Sequence, residues 1–266
     1  MRQIAQQIGA DPDAEDSEEG ASATVSLLRE LQDHVESIDH ASDLATVGGM
    51  APLLRCLGSR QPAVAAAAAE VLATAVQNNP KAQGEALAAG ALGALLAGLA
   101  AERPEAPEAA AKALLALSCL LRGCEPAQGA FRAASGFALL RARCGDADPR
   151  AARKALQIAR FLATSHVDHL PAMVPLDFEA AATAAAESPL RDVREAALGL
   201  LVAIAVYVDF EAHPAAAEQL RRRELGRVLV ARRAALDADA AAEGPEAGEE
   251  EAGSVQKLLE MLAPVQ

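Results

Sequence analysis

Apolar and polar positions in this chain recur with the period of a helix. Leu27, Leu28, Leu31, Val35 and Ile38 stand at helical spacing, so an amphipathic helix is predicted from Thr24 onward. A stronger pattern covers residues 150–164. At 100° per residue, Arg150, Arg153, Lys154, Gln157, Arg160 and Thr164 fall within about 120°, and Phe161 lies inside that arc. Ala152, Ala155, Leu156, Ile158, Ala159 and Leu162 fill the remainder. Such a helix is buried around most of its circumference and shows one polar stripe. Comparable stripes are Glu70, Thr74 and Gln77; Glu105, Glu108, Lys112, Cys119 and Arg122; and Arg191, Arg194, Glu195 and Leu198.

These stripes belong to a repeat. Val47-Gly48-Gly49-Met50-Ala51-Pro52-Leu53-Leu54, Ala89-Gly90-Ala91-Leu92-Gly93-Ala94-Leu95-Leu96 and Ser135-Gly136-Phe137-Ala138-Leu139-Leu140 are versions of one phrase. Gly49, Gly90 and Gly136 lie 41 to 46 residues apart, the armadillo/HEAT period. Repeats are predicted at 43–83, 84–129 and 130–171, with a degenerate fourth at 172–213 in which Asp177-Phe178 replaces Gly-Phe. Pro62, Pro107, Pro149 and Pro189 stand just before the last helix of each, where proline is tolerated. The expected fold is an all-α, armadillo/HEAT-like superhelical solenoid of about four repeats with helical caps, spanning 24–213. Residues 1–23 are expected to be an acidic, disordered segment. Residues 214–266 are expected to form capping helices around an acidic loop at 241–253. In such a stack the third helices line a concave face, and their stripes would merge into a groove for another protein.

Composition narrows the function. Hydrophobic residues make up 52% of the chain and aromatics 2%, with alanine prominent, which favours helix over strand. The net charge of −13 argues against nucleic acid and acidic lipid surfaces as partners. Charge is uneven: residues 1–40 carry ten acidic and two basic groups, and Arg221–Arg233 holds six arginines against Glu224. That basic run has no interleaved aromatics for base stacking, so internal pairing with the acidic tail Asp237–Glu251, or partner binding, is the simpler account. Cys56, Cys119, Cys124 and Cys144 form no Cys-x-x-Cys, and reduced thiols are expected. No signal peptide is read at Met1, and the uncharged run Ala86–Ala101 is too short to span a bilayer. A soluble cytoplasmic protein is expected, with the nucleus also open, and the endoplasmic reticulum open if a segment precedes Met1.

Candidate chemistry is sparse. His166 and His169 flank Asp168 but read as a solvated loop rather than a metal site. His34 and His40 read as surface residues on or after the first helix. Gly90, Gly93 and Gly98 lack the Gly-Lys-Ser/Thr of a phosphate loop. Glu249-Glu250-Glu251 reads as a solvated charge run. Neither catalysis, nor a metal, nor a cofactor is expected.

One ordered set of phrases resembles a known family. It runs from Gly48-Gly49-Met50-Ala51-Pro52-Leu53-Leu54 through Gln77-Asn78-Asn79-Pro80 and Gly90-Ala91-Leu92. It continues with Lys112 to Arg122 (containing Ser118-Cys119-Leu120-Leu121-Arg122), Phe131-Arg132, Gly136-Phe137 and Arg153-Lys154-Ala155-Leu156. The entry segment Leu31 to Ala41 fits as well. Together these resemble the Fes-one/heat-shock-protein-binding family of nucleotide exchange factors over about residues 24–235. The resemblance implies a non-catalytic co-chaperone. Its concave face would bind the ATPase domain of a DnaK-type, seventy-kilodalton heat-shock chaperone and promote ADP release. It also implies a partner surface comprising Gln77, Asn78, Lys112, Arg122, Arg153, Lys154, Gln157, Phe161, Arg194 and Glu195. The family has basic residues where this chain has Ala65 and Ala67. An armadillo adaptor for another protein or an extended peptide remains the alternative, and a monomer is expected in either case.

Overall fold

The computed structural model describes residues 1–10, 17–101, 106–166, 168–207, 223–243 and 248–262. Every regular element among them is helical. The chain divides into two compact units, Met1–Leu139 and Leu140–Gln266.

The first unit opens with α1 (Arg2–Ala10) and α2 (Glu18–Val35). Within the segment 1–23, residues 2–10 and 18–23 are therefore helical and not the disordered stretch its acidity suggests. Ile4, Ala5 and Ile8 are buried, and α1 packs on α2 and on α4 (Met50–Leu57). Residues 11–16 lie outside the described residues. Ser17 caps α2, its hydroxyl accepting from Gly20 N at 3.1 Å, and Glu18 and Glu19 sit in the first turn where the helix dipole favours them. Two triplets of short, short and long helices follow. The first is α3 (Ile38–Asp43), α4 and α5 (Pro62–Val76); the second is α6 (Pro80–Ala88), α7 (Ala91–Ala100) and α8 (Pro107–Leu121). α9 (Glu125–Ala133) and α10 (Gly136–Arg143) begin a third, and the unit boundary falls within α10.

The second unit carries α11 (Pro149–Ser165), α12 (His169–Met173) with a 3-10 turn at Val174–Leu176, α13 (Phe178–Ala185) and α14 (Arg191–Tyr207). It closes with α15 (Arg223–Glu243) and α16 (Glu249–Leu262). The acidic loop expected at 241–253 is thus mostly helix: α15 runs to 243 and α16 starts at 249. Residues 208–222 and 244–247 lie outside the described residues. No helix among the described residues is long and apolar enough by itself to cross a membrane, and α6 and α7 are bent by 70° at their junction.

The long helices begin at residues 62, 107, 149 and 191. Pro62, Pro107 and Pro149 each occupy a first helical turn, where the missing N–H costs nothing. α14 differs: it begins at Arg191, two residues beyond Pro189.

The repeated glycine phrase resolves into two separate demands. One residue per turn takes a left-handed backbone: Gly48 (φ 81°), Gly90 (φ 93°), Ser135 (φ 58°) and Asp177 (φ 59°). Aspartate is among the residues that tolerate this region, so Asp177 preserves the turn without glycine. The following residue meets the preceding helix. A side chain at Gly49 would strike Leu44, and one at Gly136 would strike the Phe131 ring. Phe131 itself packs edge-on against Phe137, with ring centroids 5.4 Å apart.

Buried amides tie the long helices to their neighbours. Gln83 Nε2 donates to the carbonyls of Cys119 (2.9 Å) and Arg122 (2.8 Å) at the end of α8. Gln128 Nε2 donates to the Leu121 carbonyl at 2.9 Å. Asn79 caps α6, accepting from Ala82 N at 3.2 Å, and donates to Ser42 Oγ at 3.1 Å. These bonds satisfy backbone groups that helix ends leave open. Much of Gln77-Asn78-Asn79-Pro80 and Ser118–Arg122 is therefore architecture.

Candidate functional site

Three of the long helices, α5, α8 and α11, expose one stripe each in a shared register. Counted from the proline, positions 1, 5, 8, 12 and 15 are Ala63, Ala67, Glu70, Thr74 and Gln77 in α5. In α8 they are Glu108, Lys112, Leu115, Cys119 and Arg122, and in α11 Arg150, Lys154, Gln157, Phe161 and Thr164. All fifteen are half-buried or exposed, while the helices are otherwise largely buried. Glu105, expected on the α8 stripe, lies outside the described residues.

In the first unit α2, α5 and α8 lie side by side. Gln32 Nε2 of α2 donates to Thr74 Oγ1 of α5 at 2.6 Å, and Glu70 of α5 pairs with Lys112 of α8. An open groove between α2 and α5 is lined by Ala63, Ala66 and Ala67 together with Arg29, Gln32 and Glu70. Of the four expected contact residues here, Gln77 ends α5 and is exposed. Asn78 is exposed in the turn that follows, with φ 53°. Arg122 is exposed, its Nε 3.4 Å from Ser118 Oγ. Lys112 is half-buried, its charge matched by Glu70.

The second unit holds the other six. Lys154, Gln157 and Phe161 are half-buried on the α11 stripe. Arg153 lies beside them and pairs with Asp192 of α14 at 2.6 Å. Glu195 pairs with Arg191 at 2.7 Å. Arg194 is not on this face. Its side chain is only 12% exposed and binds Glu251 of α16, Nε to Oε1 at 2.8 Å and Nη2 to Oε2 at 3.2 Å. The expectation failed because Arg194 turns toward α16, and its partner Glu251 stands 57 residues away in the chain, beyond the reach of a local pattern.

Glu251 is also not the solvated acid it resembled. Its side chain is fully buried, and Arg232 of α15 binds it from a second direction at 2.5 and 3.0 Å. Burial pushes the carboxyl upward, but the hydrogen bonds and charges of Arg194 and Arg232 outweigh that and hold it below its ordinary value. Two more arginines of the basic run are internally paired: Arg227 with Glu224 at 2.7 Å, and Arg233 with Asp237 at 3.0 Å. Arg221 and Arg222 lie outside the described residues.

His169 corrects another expectation. It is 2% exposed, with Nδ1 3.0 Å from the Leu162 carbonyl and 3.1 Å from Ser165 Oγ, so it ties α12 to the end of α11. His166 stays exposed, 3.7 Å from Asp168. Among the described residues no cluster of three or more His, Cys, Asp or Glu could hold a metal ion. Cys56, Cys124 and Cys144 are buried, and burial pushes the Cys144 thiol up to about 12, with Arg141 opposing. A thiol held protonated is a core group and not a nucleophile.

Comparison with known proteins bears on both fold and surface. Residues 40–160 match the family model of the SIL1/FES1/HPBP1 C-terminal domain. Over 117 residues, 44% of this chain, the sequence is 39% identical to the nucleotide exchange factor SIL1 of Rattus norvegicus and 38% identical to that of Mus musculus. The match takes in 25% of the length of each relative. Among solved structures, a designed armadillo repeat protein aligns with a TM-score of 0.71, over 98% of this chain and 99% of its own, at 18% identity. A computationally designed armadillo repeat protein for modular peptide recognition aligns at 0.74, over 98% of both chains, again at 18% identity. Those likenesses are of fold alone, and they bear out the all-α armadillo class. The resemblance to the exchange-factor family holds for residues 40–160.

Proposed function

We propose that this chain is a nucleotide exchange factor, a co-chaperone that binds the ATPase domain of a seventy-kilodalton, DnaK-type chaperone through the stripes of its long helices and promotes ADP release. One observation carries the reading. The stretch matched to the family model contains all of α5 and α8 and most of α11, the three helices whose stripes share a register.

The chain contributes binding and no bond chemistry of its own. Nucleotide sits in the partner. A protein that binds the open state of the partner more tightly than its closed, ADP-holding state shifts the population toward open. A differential of about 1.4 kcal/mol shifts that balance tenfold, and couplings of about 1–3 kcal/mol are ordinary. Half-buried stripes on packed helices suit this task, because a preformed surface loses little entropy on docking.

The compartment follows the partner. The likeness to SIL1 exchange factors does not fix a compartment, so a luminal chaperone stands beside the cytoplasmic one expected from the sequence. Reciprocity supplies the test. Affinity for a luminal and a cytosolic chaperone ATPase domain is measured by calorimetry, with and without ADP. The expected result is binding to one of them that ADP weakens about tenfold or more. Equal affinity with and without ADP would rule out exchange activity and leave an armadillo adaptor.

A further inference from the structure

In the second unit, the arginines near the α11–α14 face have acidic partners, with one exception among the described residues. Arg150 pairs with Asp148 at 3.1 Å, Arg153 with Asp192, Arg191 with Glu195, and Arg194 with Glu251. Arg160 is exposed and has no such partner among the described residues.

Its position is also specific. The Arg160 side chain lies across α14 at Gly199. A β-carbon at residue 199 would stand 2.8 Å from Nη1 and 3.3 Å from both Cδ and Cζ. Glycine in the middle of a helix costs about 1 kcal/mol relative to alanine. Here it opens the path along which the guanidinium is laid. The surroundings are apolar. Phe161 is the next residue and half-buried, and Val202 and Val206 follow Gly199 on one face of α14 at i+3 and i+7. Val206 is 46% exposed.

We propose that Arg160, seated on Gly199, receives a carboxylate from the partner protein, an aspartate or glutamate flanked by apolar side chains that meet Phe161 and Val206. A guanidinium fork matches a carboxylate in two parallel hydrogen bonds, and an apolar surround strengthens that pair when docking removes water. The partner class rests on the exchange-factor reading above; the chemistry of the seat rests on Arg160 and Gly199.

The test is calorimetric titration of the whole chain with the chaperone ATPase domain, for wild type, Arg160→Glu, Arg160→Lys and Gly199→Ala, at low and high salt. Arg160→Glu should weaken binding about thirtyfold, and Arg160→Lys a few-fold because an ammonium keeps the charge but loses the fork. Gly199→Ala is the sharpest arm. It should raise the melting temperature through helix propensity while weakening binding a few-fold by displacing the guanidinium. A merely structural role would move both in one direction. Wild-type binding with Arg160→Glu equally tight would overturn the seat and leave the exchange-factor reading intact. No binding by folded wild-type chain to either compartment's chaperone would overturn that reading and the seat with it.

Discussion

The long helices of the two units share a stripe register but are fitted out differently. In the first unit the α5 stripe begins with Ala63 and Ala67, and its one charge, Glu70, is matched by Lys112. In the second, Arg150, Arg153, Arg160 and Arg191 dominate, and Arg194 and Arg232 clasp a buried Glu251. The difference teaches that the repeat fixes where a surface forms and leaves its chemistry free. The first unit offers shape, a groove lined in part by alanines, whose small side chains let helices approach. The second offers charge.

The largest test of that contrast is Glu251→Ala. Removing the carboxylate leaves Arg194 and Arg232 largely buried and unmatched. Breaking such a pair costs about 3 kcal/mol, somewhat less here because the arginines keep partial solvent access. Chemical denaturation should register the loss. The effect also has a pH sign. The Glu251 carboxyl lies below its unfolded value, near 4.3, so its contribution is full above that value and is lost as pH falls through the folded one. The melting-temperature gap between wild type and Glu251→Gln should therefore shrink as pH is lowered from 6 toward 3. A gap that stays constant would show that the clasp is held by packing and not by charge.

The next effect belongs to the first unit and to packing. Gly136→Ala drives a methyl group into the Phe131 ring and should cost about 1–3 kcal/mol, insensitive to salt. Gly90→Ala tests the other glycine demand, because it leaves open space but strains a left-handed turn. It should cost about 1 kcal/mol.

Much of this arrangement was legible in the sequence, because local rules set it. Pro62, Pro107 and Pro149 mark helix starts by what proline forbids, and the stripes follow once the start is known. The stripe pattern also took in Arg194, whose turn toward α16 nothing local reveals. Glu251 was unreadable for another reason: its partners lie 57 and 19 residues away, so the acidic run around it looks like any solvated charge. α1 did leave a trace, Ile4 and Ile8 at i and i+4, but the acids at 11–19 outweigh it in any window average. Arg160 was visible on the α11 stripe. Its distinction needed Gly199, which only the packing of α14 brings beneath it.

The most direct measurement is stopped-flow release of a fluorescent ADP from the chaperone that the chain binds, with wild type and with the double variant Lys112→Glu, Lys154→Glu. The double variant reverses one charge on each unit's stripe and leaves the helix interiors untouched. Wild type should accelerate release at least about tenfold, and the double variant should lose most of that while keeping its helicity. Full acceleration by the double variant, or none by a folded wild type, would contradict the assignment of function to these stripes.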